Sequence, residues 1–113
     1  MFGFSFGRST PIKTLTPQDA HRMAKDGQVL LVDVREAHEF AQGHVPGAFN
    51  APLSSLHTTA TAIPKDKQVV FYCMMGGRSA KAVEVCQKMG LPHDSHMGGG
   101  IGAWRLHGLP IVL

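Results

Sequence analysis

The stretch QVVFYCMMGGRSAKAVEVCQKMG, residues 68–90, decides how the chain is read. QVVFYC, residues 68–73, is a short apolar run, as expected of a strand covered on both faces. From Ser79 to Gly90 the pattern changes to helical spacing. Ala82, Val85, Cys86 and Met89 share one face, and Gly90 supplies a stop. Between them lies a glycine-rich turn. A strand, such a turn and a helix together form an anion site, because loop N–H groups converge and the helix N-terminus adds partial positive charge. Cys73 opens this turn and has three readings: a small buried hydrophobe, a metal ligand or a nucleophile. The metal reading is weak, since no CxxC is present and Met74 and Met75 do not form a spaced ligand set. Gly76 and Gly77 let the backbone curl. Arg78 adds charge to the cradle or ties the loop through carbonyls.

The rest of the chain extends the alternation. Thr16, Pro17 and Asp19 in TLTPQDAHRMAK mark a helix start, and DGQ at 26–28 ends it. VLLVDV, residues 29–34, is a second buried strand. REAHEFAQG reads as a short helix stopped near Gly43. HVPGAFNAPL reads as a turn with a short extended piece, SSLHTTATAI as helical, and LPIVL at 109–113 as a short closing strand. Strands alternating with helices predict an α/β domain with a mostly parallel sheet. Residues 1–13 read as a partly ordered leader whose Phe2, Phe4 and Phe6 can cover an apolar surface. Residues 14–113 read as one domain.

Composition narrows the function classes. At 43% hydrophobic and 17% charged, the chain can bury a core and does not resemble a disordered one. Two cysteines are too few for a disulfide scaffold and suit a reducing compartment, so the cytoplasm is the expected location. No apolar run approaches a membrane span, and the first residues make a poor signal peptide. The net charge of +3 is scattered, which gives no footprint for nucleic acid.

Three segments together resemble the rhodanese-like domains. LLVDVREAHEFAQGHVPGAFNAPL, residues 30–53, is similar to the family's first signature. FYCMMGGRSAKA, residues 71–82, is similar to its active-site loop, and GGGIGAWRLHGLPI, residues 98–111, to its C-terminal Gly-Gly-x-x-x-Trp segment. The resemblance implies a mostly parallel central sheet of about five strands with helices on both faces. It also implies a single-domain sulfurtransferase of the thiosulfate:cyanide type that needs no metal or organic cofactor. Cys73 would take a sulfane sulfur from a donor such as thiosulfate, become a persulfide, and pass the sulfur to cyanide or a thiol. Met74, Met75, Gly76, Gly77 and Arg78 would form the substrate loop, with Arg78 as its charged helper. Asp33 and Arg35 match the strand-end pair expected to brace that loop. Glu39 and His44 match the pattern as supporting residues, His44 fixing the turn beside Pro46. A persulfide carrier serving a protein partner, or a regulatory binding module, would show the same motif.

The same fold also supports phosphatases, which resemble Cys-x5-Arg. Here the spacing is Cys-x4-Arg, a tighter ring that favours sulfur over phosphate. The polar run Pro92–Met97 departs from the family pattern, which has an apolar strand there. The strand is therefore expected to be short or irregular, with His93 and His96 as candidates for the site mouth or, with less support, a metal pair. Cys86 reads as core, and Trp104 as a packing anchor.

Overall fold

The computed structural model describes residues 11–113. The Phe-rich start read as most of the leader lies outside the described residues. The element order is β1 (Lys13–Leu15), α1 (Pro17–Lys25), β2 (Val29–Asp33), α2 (Ala37–Ala41), β3 (Phe49–Asn50), α3 (Leu56–Thr59), β4 (Gln68–Tyr72), α4 (Gly77–Lys88), β5 (Ser95–Met97) and α5 (Gly100–Leu106). The five strands form one sheet in the order β1-β5-β4-β2-β3, with every pairing parallel.

Side chains of successive strand residues point to opposite faces, and the core follows that period. Val32, Val69, Phe71 and Cys73 face one cluster with Leu56 of α3 and Ala82, Val83 and Cys86 of α4. Val29, Leu31, Val70 and Tyr72 face a second cluster with Ala20 of α1 and Ile101 and Trp104 of α5. Helices therefore cover both faces, which is why β2 and β4 are apolar nearly throughout. Trp104 is fully buried and donates its indole N–H to the Pro110 carbonyl at 2.7 Å.

Thr16 caps α1 as expected, its hydroxyl accepting the Asp19 N–H at 3.1 Å with Pro17 in the first turn. Four details differ from the sequence reading. Thr14 and Leu15 belong to an edge strand rather than to the approach of α1. α4 begins at Gly77, two residues before Ser79, because Gly76 at φ +119° forms its N-cap. On that helix Val83 is buried in the core, while Met89 sits exposed at the C-cap. The tail LPIVL makes an isolated antiparallel bridge, His44 to Val112, rather than a strand. SSLHTTATAI is helical, as one α turn flanked by 3-10 turns.

The polar run before the triple glycine forms β5, short as expected but fully within the sheet between β1 and β4. Within β5 itself, Ser95–Met97, the two polar side chains are tolerated because both find partners. Ser95 bonds Gln68 (3.0 Å) and Asp94 (2.9 Å), and His96 contacts two hydroxyls.

Candidate active site

In an open parallel sheet, ligands bind beyond the carboxyl ends of the strands. Cys73 follows β4, the central strand, at that edge. Asp33 ends β2, and the glycines 98–100 follow β5. The backbone between β4 and α4 is held from outside. The Cys73 and Met74 carbonyls accept the N–H groups of Ile101 (2.8 Å) and Gly102 (3.0 Å) at the start of α5. With carbonyls turned out, the following amides turn in. Only glycine allows this approach: a Cβ on Gly100 would sit 2.4 Å from the Cys73 carbonyl oxygen, and its φ is +59°.

The Cys73 Sγ accepts the Gly76 N–H at 3.1 Å and the Ser79 N–H at 3.3 Å, with the Ser79 hydroxyl at 3.7 Å. Burial pushes the thiol's pKa up. Bonds from the Ser79 side chain and from the amides of Ser79, Gly76 and Met75 outweigh it, so the net shift is downward. Cys86, packed in the core without such donors, is pushed by burial up to about 11. Of the two thiols, Cys73 is the one prepared as a thiolate.

Arg78 is engaged by a carboxylate. Its guanidinium forms a two-pronged pair with Glu39 at 2.7 and 3.1 Å, with both side chains partly exposed. Glu39 also accepts the Glu36 N–H at 2.9 Å at the start of α2. Arg78 holds the Glu39 carboxyl down to about 2 against the opposing effect of burial. This pair joins α2 to α4 across the mouth.

Asp33 and Arg35 form a buried ion pair with contacts of 2.7 to 3.1 Å. Arg35 also donates to the Gly43 carbonyl at 2.7 Å. Asn50 clamps the Asp33 and Arg35 carbonyls at 3.0 and 3.1 Å. These bonds brace the turn after α2 and the end of β2, rather than the 74–78 loop. His44 lies on the same turn. Its Nδ1 contacts the Phe40 carbonyl at 2.8 Å and its ring stacks on Phe40 at 3.6 Å, a turn-fixing role. Met74 and Met75 sit at the mouth, Met75 being 72% exposed, and Gly77 begins α4.

Ser79 is the residue the sequence reading did not assign. Its signal was present: a serine three residues after the N-cap glycine turns back toward whatever sits at the helix start. His96 meets Ser79, whereas His93 stands edge-on to Phe71 at 5.9 Å.

Residues 16–107 match the rhodanese-like domain model. A protein from Allochromatium vinosum named sulfurtransferase is 42% identical over 93 residues, covering 82% of this chain and 87% of that protein. A rhodanese-related protein from Thermoplasma volcanium superposes with a TM-score of 0.79 at 31% identity, covering 89% of this chain and 98% of that one. A protein of unknown function from Rhodopseudomonas palustris, described as a possible tyrosine phosphatase, superposes with a TM-score of 0.78 at 38% identity, covering 89% and 85%. With this fold and these relatives, the chain belongs to the rhodanese-like domain family.

Proposed function

We propose that the chain moves a sulfane sulfur from an anionic donor such as thiosulfate to cyanide or a thiol through a persulfide on Cys73. The observation that carries this reading is the Cys73 Sγ held at the N-terminus of α4 by two backbone N–H groups. The thiolate attacks the outer sulfur of thiosulfate, and the S–S bond breaks with sulfite leaving on the electron pair. The persulfide anion that remains occupies the same amide cradle. The acceptor attacks its terminal sulfur and regenerates the thiolate, giving thiocyanate from cyanide. Arg78 supplies the positive charge at the mouth for the donor's sulfonate end. No helix among the described residues is long and apolar enough to cross a membrane. Two free, buried cysteines suit a reducing compartment such as the cytoplasm.

The test is intact mass after thiosulfate treatment. The native chain gains one sulfur, about 32 Da, and Cys73→Ala gains none, as the covalent step requires. Thiocyanate then appears when cyanide is added. Release of phosphate from an aryl phosphate without thiocyanate formation would replace sulfur transfer with phosphatase chemistry. The exposed Met74 and Met75 favour a second use of the same persulfide, in which a protein thiol docking on that apolar rim collects the sulfur.

A further inference from the structure

Ser79 connects Cys73 to a histidine that the mechanism above does not use. His96 lies in β5 and is only 9% exposed. Its Nδ1 is 2.8 Å from the Ser79 Oγ on α4, and its Nε2 is 3.3 Å from the Thr14 Oγ1 on β1. Each ring nitrogen therefore faces a hydroxyl, which can donate or accept.

Ser79 has one proton and three neighbours: the Cys73 Sγ at 3.7 Å, the Gly76 carbonyl at 3.1 Å and the His96 Nδ1. The Gly76 carbonyl already accepts the Ala80 N–H at 3.2 Å. If Nδ1 accepted from Ser79, the hydroxyl proton would point away from the sulfur. If Nδ1 carries the proton, it occupies a lone pair of Oγ, and the hydroxyl proton is left to the Gly76 carbonyl, on its second lone pair, or to the sulfur, which as an anionic thiolate is the stronger acceptor. We infer that His96 is a positioning residue that, as the neutral Nδ1–H tautomer, donates to Ser79 and aims its hydroxyl at the Cys73 thiolate.

The proton count closes. With Cys73 as a thiol, S–H donates to Oγ, Ser79 donates to Nδ1, and the ring proton sits on Nε2 facing Thr14. On ionisation one proton leaves to water. The ring keeps one, now on Nδ1, and Thr14 donates to Nε2. Burial lowers the His96 pKa, which keeps the ring neutral through this exchange. The ionisable groups on the segments that pair with or adjoin β5 include Cys73, which His96 meets through Ser79, the Lys13–Asp94 pair (3.5 Å) at the start of the β1–β5 ladder, and His93 just before β5.

The inference rests on Cys73 being the nucleophile, and its test reads the thiolate without any sulfur transfer. The rate of Cys73 alkylation by iodoacetamide, located by peptide mass, is followed against pH. It is measured for the native chain, His96→Leu, His96→Asn, Ser79→Ala and the His96→Leu/Ser79→Ala pair. His96→Leu and Ser79→Ala each move the midpoint up by about one unit, roughly tenfold slower alkylation on the acid side, as loss of a bond to a charged group predicts. The double variant moves no further than Ser79→Ala, since both act through one hydroxyl. His96→Asn stays near native, because its amide N–H replaces Nδ1–H. A native profile in His96→Leu, additive shifts, or an Asn variant no better than Leu overturns the inference. Should His96→Leu fail to fold in a thermal melt, His96→Asn against His96→Gln decides, since the Gln amide reaches toward the Nε2 position instead. Equal profiles for those two overturn it. A native Cys73 that titrates as an ordinary thiol overturns the nucleophile reading itself, whereas a lowered native midpoint unchanged in His96→Leu removes only the role of His96.

Discussion

At the scale of single residues, the site divides its labour between atoms that touch sulfur and atoms that hold the mouth. Sγ is served by amides and one hydroxyl, all neutral. The formal charge is carried by Arg78, whose guanidinium is paired with Glu39. Arg78→Ala therefore acts on the donor rather than on the thiolate. It raises the KM for thiosulfate several-fold, as loss of a charge-assisted contact predicts. It leaves the rate of Cys73 alkylation by a neutral reagent within about twofold, as expected for a partly exposed charge already paired with Glu39. Steady-state kinetics beside alkylation kinetics reads the split, and equal losses in both would return Arg78 to the cradle. The Glu39 carboxyl is lowered from 4.5 to about 2. What the pair adds to stability is thus fully present above pH 4.5 and fades as pH falls toward 2. The acid limb of sulfur loading belongs to Cys73.

At the scale of elements, the loop that carries the nucleophile is shaped by a helix distant in sequence. The N–H groups of Ile101 and Gly102 fix the Cys73 and Met74 carbonyls, and Gly100 leaves them room. Gly100→Ala puts a methyl into both carbonyls at a positive φ. It is expected to cost about 2–3 kcal/mol and to slow sulfur loading. Gly108→Ala is the control: it also has positive φ (+68°) but open space around it, so it carries the backbone strain alone, about 1 kcal/mol. Denaturant melts with loading rates measure both, and equal effects would show that the close approach does not matter.

At this level the sequence was legible where a residue's own chemistry sets its neighbourhood. The apolar runs of β2 and β4, the Thr16 cap and the glycine-rich turn state their structures locally. β1 and β5 did not, because three polar-flanked residues become a strand only through a neighbouring backbone ladder. Ser79 and His96 were present as letters, but their meeting depends on α4 packing over β5. Arg78 was legible as a charge and not as a partner of Glu39, which lies 39 residues away.

At the scale of the whole molecule, the fold depends on one buried charge pair and on how its sheet closes. Arg35 and Asp33 are 3% and 0% exposed and hold the turn after α2. Asp33→Asn leaves the guanidinium buried without its counter-charge, at a cost of about 3–5 kcal/mol. A domain of this size then melts more than ~10 °C lower. Replacing both residues with apolar ones, Asp33→Leu with Arg35→Met, recovers part of that loss, and calorimetry of the three chains measures it. A double variant no more stable than Asp33→Asn would mean that the bond to Gly43 matters more than the charge balance.

The sheet order has a consequence in time. Lys13 pairs with Ser95, and Thr14 with His96. Among the described strands, the first in sequence has its place beside the last. An emerging chain can pair β2 with β4 early, but β1 waits until residue 97 has been translated and the widest sequence gap between paired strands among the described residues has closed.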